Sequence, residues 1–347
     1  MSKREPGLDL LRCFATLLVV SVHSFMSNSY TIRPQVGIVM WLAGSFHLIA
    51  RSSVGIFLLL TGYLQSRKTD WRSCYRGLSS VLLGYLLVSF ISIPIRHFVF
   101  GDVQTLSTWM QRLLGYNGAY YGWYVEMYVG LTLLTPFLNV GLQHMSNKQL
   151  FGFSAVLLFL SSLPGLTPWI VVPDFYKFLY PVSFYVLGAI FRRVQPKIHP
   201  LFGLSAALAS ALLMGAGTVL STDGTFKDAI TWGFGDLGIV IGSVGLFVGM
   251  YRMKLPPALS RFFAFAATGS YGAYMLSHLL DAQFYQLVMP WRREGRFLLI
   301  FICVTVPIYL ASMAMGIGLD RITRLLLKLG QKLADGVKKT VRVKLPR

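Results

Sequence analysis

The stretch GLDLLRCFATLLVVSVHSFMS, residues 7–27, is an apolar run of membrane length that contains an acid, an arginine and a histidine. On a helix with 100° per residue, Asp9, Arg12, Thr16 and His23 fall within about 60° of one another. A charged side chain at bilayer depth costs at least about 2.5 kcal/mol, so this polar face must look into a protein interior or a water-filled cavity. We therefore predict a functional site along it.

A structural interpretation of the same face stays open. Asp9 and Arg12 can form an i,i+3 ion pair at the helix end, and His23 can be a hydrogen-bonded histidine between packed helices. For any one of these residues the structural interpretation is favoured, but their shared face favours function. Arg12 and His23 are about 16 Å apart along the axis, so one end could hold a charged ligand group while the other performs chemistry.

The composition predicts a polytopic membrane protein. Of the 347 residues, 54% are hydrophobic and only 13% are charged, and the mean hydropathy is +0.59, which is too apolar for a soluble domain. Asp9 and Arg12 interrupt the N-terminal apolar stretch, so we interpret it as a retained span rather than a cleaved signal peptide. Cys13, Cys74 and Cys303 are far apart and predict neither a disulfide framework nor a metal site.

The predicted fold is all-α with about ten transmembrane helices and both termini cytoplasmic. The ten predicted spans are residues 8–28, 52–66, 77–98, 121–140, 150–165, 175–192, 201–220, 232–251, 264–289 and 297–319. Residues 36–50 are predicted to form a separate interfacial or re-entrant helix, because the apolar run to Leu64 is too long for one upright span and carries Arg51 in its middle.

The distribution of basic residues supports this orientation. Most of the 32 Lys and Arg fall in segments that ten spans with a cytoplasmic N-terminus place inside. We divide the chain into a membrane domain, residues 1–320, and a basic cytoplasmic tail, residues 321–347, which from Gly318 on can form an amphipathic helix on the inner leaflet. The net charge of +19 then indicates contact with anionic lipid headgroups and no nucleic-acid partner.

Four polar motifs follow one another along nearly the whole chain. They are Asp9-Leu-Leu-Arg12 with His23; Arg51 with Val54-Gly55, Phe57 and Thr61-Gly62-Tyr63; Trp123-Tyr124 with Thr135-Pro136; and Ser270-Tyr271 with Tyr274 and His278. In this order they resemble the integral-membrane acyltransferase 3 family, in the stand-alone form without an appended esterase-like domain.

The resemblance implies a membrane-bound O-acyltransferase of the bacterial inner membrane. Such an enzyme transfers an acyl group, most often acetyl, from acyl-coenzyme A on the cytoplasmic side to a hydroxyl of a cell-surface polysaccharide or its lipid-linked precursor. The resemblance also implies that His23 is catalytic and that Arg12 supports the donor. We expect acetyl-coenzyme A as a substrate, no permanently bound cofactor and no metal; the sequence predicts no oligomeric state.

Acyl transfer to a sugar hydroxyl needs a base, and a neutral histidine such as His23 suits that role near pH 7. No serine or cysteine is clearly paired with it, so direct transfer is preferred over an acyl-enzyme. Asp9, Arg12, Arg72 and Arg76 are the predicted donor-binding residues, because arginines at the inner face can hold the phosphates of coenzyme A. For Arg72 and Arg76, ordinary positive-inside topology is the alternative.

A second group of residues is predicted to bind the acceptor or to support the site. Arg51 could contact an anionic acceptor or snorkel, and Glu126, one turn into a span, needs a partner such as Arg51 or Arg96 unless it orients the acceptor. His278 and Asp281, at i,i+3, could form a second polar cluster or a structural hydrogen bond. The whole group is Arg51, Trp123, Tyr124, Glu126, Ser270, Tyr274, His278 and Asp281.

The main alternative function is a membrane transporter of a small polar solute or envelope precursor, with polar residues at the bilayer midplane forming its path. That function predicts pseudo-symmetric halves with matching broken helices, and the sequence contains no such internal repeat.

Overall fold

The computed structural model describes residues 5–27, 37–102, 105–163, 172–221, 233–288 and 297–344, and these residues form helices without any strand. The α-helices are α1 (Pro6–Ser27), α2 (Ile38–Gln65), α3 (Trp71–Tyr75), α4 (Leu78–Phe98), α5 (Leu106–Leu114), α6 (Trp123–His144), α7 (Asn147–Ser162), α8 (Tyr180–Val194), α9 (Pro200–Ser221), α10 (Leu237–Met250), α11 (Pro257–Ala266), α12 (Ser270–Val288) and α13 (Phe297–Lys344). Short 3-10 helices precede α8 and α12, at Asp174–Leu179 and Ala267–Gly269.

The described helices confirm the all-α class. Six of their stretches are long and apolar enough to cross a membrane: Pro6–Phe25, Trp41–Gln65, Trp71–Phe98, Trp123–His144, Pro200–Gly217 and Leu299–Asp335. Each of the ten predicted spans overlaps a helix, but the number of ten spans and the cytoplasmic termini stay predictions. The predicted segments also include residues 28, 36, 164–165, 232, 289 and 345–347, which lie outside the described residues.

The prediction of a separate helix at residues 36–50 is wrong. From residue 38 on, this segment is the first half of α2, one continuous helix of 28 residues. Ser45 is buried, and the indole of Trp41 donates a hydrogen bond of 2.9 Å to the Leu212 carbonyl of α9. Gly215 gives this contact room, because a Cβ there would collide with the Ser45 hydroxyl. Packing against α9 thus supports a helix longer than an upright span requires.

α2 is the central helix of the bundle. It packs on α1, α8, α9 and α10, and its residues Ile56, Leu58 and Leu59 are fully buried. The contact with α8 is close because Gly62 faces the backbone of Tyr185; a side chain at Gly62 would collide with that carbonyl. This close approach explains why a small residue stands in the last turn of an apolar helix.

Polar contacts tie helix ends together where α1 begins. Arg192 at the end of α8 donates to Glu5 at 3.1 Å, and the Tyr63 hydroxyl donates to the same carboxylate at 2.9 Å. The Asn139 amide of α6 donates to the carbonyls of Gln65 and Lys68 at 2.8 and 2.6 Å. The start of α1 and the ends of α2, α6 and α8 therefore meet on one side of the bundle.

A matching set of contacts lies on the opposite side, where α4 ends. Asp102 forms an ion pair with Arg96 at 2.8 Å and another with Arg112 of α5 at 3.3 Å. The hydrogen bonds from these two guanidinium groups lower the pKa of Asp102 below its usual value of 3.8. This carboxylate holds the loop after α4 against α5.

The last helix, α13, crosses the predicted boundary between the membrane domain and the tail. Its 48 residues span roughly 72 Å, more than twice the thickness of a bilayer core. Leu319 and Thr323 are still buried against the bundle, whereas Leu325, Leu329 and Leu333 are exposed. The tail is therefore a helical extension of the preceding span as far as Lys344, and its separation as a domain stays a prediction.

Candidate active site

The polar face of α1 looks into the helix bundle. Asp9 is 2% exposed, Thr16 is fully buried and His23 is 6% exposed. Arg12 is partly exposed and donates a hydrogen bond of 2.9 Å to Asp9. The helical spacing of these residues thus leads to a buried polar row rather than to charges in lipid.

His23 is held by aromatic rings. Its imidazole stacks on Tyr121 with ring centroids 3.4 Å apart and planes 13° from parallel, and the ring of Tyr274 lies 5.8 Å away. Its Nδ1 atom is buried and makes no hydrogen bond within the described part of the chain. The structural interpretation of His23 as a hydrogen-bonded packing residue therefore receives no support at Nδ1.

The loop before α6 positions Tyr121. The hydroxyl of Tyr274 donates a hydrogen bond of 2.7 Å to the Tyr121 carbonyl, which fixes the loop against α12. Tyr116 adopts a φ of 55°, and a side chain at Gly122 would collide with the Tyr116 carbonyl. The tight turn that Gly122 permits brings the tyrosine ring onto His23.

Tyr121 also joins His23 to a second buried cluster. Its hydroxyl donates to Asp281 at 3.4 Å, and its ring meets that of His278 edge to face at 5.9 Å. Among the described residues, neither imidazole nitrogen of His278 has a hydrogen-bond partner, and Asp281 Oδ1 has none either. The ring of Tyr120 also stacks on His278, with ring centroids 5.3 Å apart. Several buried polar atoms beside His23 therefore have no hydrogen-bond partner among the residues that the structure describes.

A cavity of about 370 Å³ lies between α1, α2, α4, α6 and α12. Along α1 its lining runs from Arg12 to Val19, and along α12 from Ser270 to Tyr274. His23 lies one turn beyond Val19 and contacts the ring of Tyr274. The cavity therefore extends from the Arg12–Asp9 pair to the ring that covers His23.

The predicted donor residues do not all meet at this cavity. Arg12 lines it, and Asp9 holds Arg12 in place. Arg72 and Arg76 are exposed at α3 and do not line it; Arg72 lies 5.2 Å from the ring of Trp71.

The predicted acceptor residues divide into three places. Ser270, Tyr124 and Tyr274 line the cavity, and Ser270 Oγ is a buried atom without a partner in the described structure. His278 and Asp281 form the cluster beside His23. Arg51 and Trp123 both lie on the ring of Phe234, at 5.2 and 5.4 Å, while Glu126 is exposed.

The two arginines that were expected to pair with Glu126 interact with other carboxylates. Arg96 pairs with Asp102 at 2.8 Å, and Arg51 interacts electrostatically with Asp236, the buried residue before α10. Sequence reasoning missed Asp236, although an aspartate just before an apolar run is an N-cap signal.

A comparison with protein-family models gives a match. A family model described as an acyltransferase domain matches residues 5–317, which is most of the chain. No curated protein and no solved structure matches this chain.

Proposed function

The chain belongs to the acyltransferase 3 family, as its motifs predicted, and on this premise we propose that it acylates a carbohydrate hydroxyl in the bacterial inner membrane. The donor is acyl-coenzyme A, with acetyl as the transferred group. The acceptor is a cell-surface polysaccharide or its lipid-linked precursor. The observation that carries the proposal is the cavity between the Arg12–Asp9 pair and the aromatic cover of His23.

The donor enters where α1 begins, which the positive-inside rule assigns to the cytoplasm. Its thioester reaches along the cavity towards Tyr274 and His23. The lining is mainly apolar, which suits an extended pantetheine arm, and Arg12 supplies a positive charge at the entrance.

His23 acts as a general base on the acceptor hydroxyl. The hydroxyl oxygen attacks the thioester carbonyl while the imidazole takes its proton; the tetrahedral intermediate then expels the thiolate, which receives the proton from the imidazolium. Stacking on Tyr121 fixes the plane of the ring. Three buried polar atoms of His278 and Asp281 have no hydrogen-bond partner within the described ranges, and they are suited to the remaining hydroxyls of the sugar.

The proposal predicts that His23→Ala abolishes acetyl transfer. Loss of a general base lowers the rate about 10²- to 10⁴-fold. The measurement is acetyl transfer from acetyl-coenzyme A to an isolated envelope glycan by the purified protein. His144→Ala, at an exposed histidine near the end of α6, is the matched control and should retain the wild-type rate. Wild-type turnover in His23→Ala would rule His23 out as the base.

A further inference from the structure

A second cavity, of about 410 Å³, lies on the side of the bundle where α1 begins. It is lined by the ends of α2, α6 and α8 and by α7, and three arginines face it: Arg67, Arg192 and Arg193. Among the described residues, its lining includes no carboxylate. A concave site with three guanidinium groups is suited to a ligand with several negative charges.

Two of these arginines are fixed by the fold. Arg193 donates to the carbonyls of Leu142 and Met145 at the end of α6, and Arg192 donates to Glu5 at 3.1 Å. Arg67 is exposed just after α2. Glu5 offsets one of the three positive charges, so the cavity keeps an excess of positive charge. A preformed pair of cations beside one accessible arginine costs little reorganisation when an anion binds.

The two cavities are neighbours along α2. Gln65 lines the first, and the next two residues, Ser66 and Arg67, line the second. From Val54, in the lining of the first cavity, to Arg67 the chain would rise about 20 Å at helical spacing. An extended pantetheine arm has a similar length, so a donor whose thioester lay deep in the first cavity and whose arm followed α2 would carry its other end near Arg67.

We propose that the second cavity binds the phosphates at the nucleotide end of the acyl-coenzyme A donor, with Arg67 as the accessible contact. The inference rests on the proposed function. It assigns the phosphates to Arg67, Arg192 and Arg193, whereas sequence reasoning had assigned the donor to Asp9 and Arg12 together with Arg72 and Arg76. The latter two are exposed and line neither cavity.

A phosphate can also come from a lipid headgroup, because the same guanidinium chemistry binds both. The two sources differ in what accompanies the phosphate. Only the donor carries a 3′-phosphorylated nucleoside joined to the reacting thioester. A probe that has the nucleotide phosphates but no acyl chain, such as adenosine 3′,5′-bisphosphate, therefore separates the donor site from a lipid site.

The first experiment measures binding of adenosine 3′,5′-bisphosphate to the purified full-length protein in nanodiscs of phosphatidylcholine. Arg67→Gln should weaken binding roughly tenfold or more, since it removes one charge-assisted contact. Arg261→Gln changes another exposed arginine, which lines neither cavity, and should bind as the wild type does. Because Arg67 is exposed, its replacement should leave the fold intact.

The second experiment compares acetyl-coenzyme A with acetyl-dephospho-coenzyme A, which lacks the 3′-phosphate, as donors. Wild type should have the lower KM for the complete donor, and Arg67→Gln should reduce that preference without an equal fall in kcat. Transfer without any preference would overturn the inference and leave the proposed function standing; absence of transfer would overturn the proposed function itself.

The lipid source has its own result. If Arg67→Gln binds the bisphosphate like wild type but retains less phospholipid after purification, the cavity holds a headgroup and the donor assignment is wrong.

Discussion

Tyr121 is the residue on which the geometry around His23 depends most. Tyr121→Phe keeps the stacked ring and removes a single hydroxyl contact to Asp281. A hydrogen bond contributes about 1 kcal/mol, so we expect acetyl transfer to fall no more than about tenfold. Tyr121→Ala removes the ring that orients His23 and should reduce transfer much further.

The measurement is kcat for both variants under the same acyl donor. Tyr120→Phe is the matched control, because Tyr120 stacks on His278 and its ring is retained. Equal rates in Tyr121→Phe and Tyr121→Ala would show that stacking does not orient the base.

Sequence reasoning predicted the residues of α1 well because their relation is local. The spacing of Asp9, Arg12 and His23 fixes their common face once the segment is helical. It could not predict that Tyr121 stacks on His23 or that Asp236 interacts with Arg51, because both contacts join parts of the chain that are distant in the sequence. The partners expected for Glu126, Arg51 and Arg96, interact with other residues. Periodicity could not predict this, because it gives the face on which a residue lies and not the neighbour across from it.

The contact between α2 and α8 is a point where one methyl group matters. Gly62→Ala would place a Cβ against the Tyr185 carbonyl, which cannot retreat without moving α8. Overpacking of this kind costs about 1 to 3 kcal/mol, so the midpoint of thermal unfolding in detergent should fall.

Gly130→Ala on α6 is the control for this contact. A Cβ at Gly130 would meet no atom of the described residues within 4 Å, and alanine is the better helix former by about 1 kcal/mol. Its unfolding midpoint should stay constant or rise. A fall of equal size in both variants would mean that loss of glycine, and not the close approach, destabilises the protein.

The ion pairs of Asp102 join α4 to α5 and should give stability a dependence on pH. Because Arg96 and Arg112 lower the pKa of Asp102 in the folded state, their contribution is complete above the unfolded pKa, near 3.8, and is lost as pH falls through the lower folded value. The side chain of Asp102 is 39% exposed, so solvent screens the effect and we expect a small one.

Unfolding midpoints of wild type and Asp102→Asn, measured between about pH 6 and pH 3, test this contact. The unfolding midpoint of the wild type should exceed that of Asp102→Asn most at the higher pH values, and this difference should shrink as the pH is lowered. A difference that grows as pH falls would contradict the assigned sign.

At the element scale, hydropathy predicted where helices lie but not how long each would be. Each of the ten segments overlaps a helix, because burial of apolar side chains and internal backbone hydrogen bonding favour helices in lipid. The length of α2 was misjudged since the prediction assumed an upright span. The support that α9 gives to residues 41–45 is a tertiary contact that hydropathy does not contain.

At the scale of the whole molecule, the two cavities and the cluster beside His23 lie one after another, starting from the side of the bundle where α1 begins. Arginines face the side where α1 begins, and apolar walls follow. Beyond Tyr274 lie buried polar atoms that have no hydrogen-bond partner in the described part of the chain. An acyl donor that is anionic at one end and reactive at the other fits that order. A transporter would instead be expected to have two repeated halves with matching broken helices and a binding site near the bilayer midplane.

This order predicts the phenotype of cells that lack the protein. An acyltransferase should leave the envelope glycan in place and remove one acyl group from it, whereas loss of a transporter should remove the glycan itself from the surface. Mass spectrometry of glycans from cells without the protein, complemented with wild type, His23→Ala or His144→Ala, distinguishes the two. We expect wild type and His144→Ala to restore the acyl mass and His23→Ala to leave it absent at normal glycan abundance. Normal acylation in the His23→Ala cells would reject the enzymatic role of the buried imidazole.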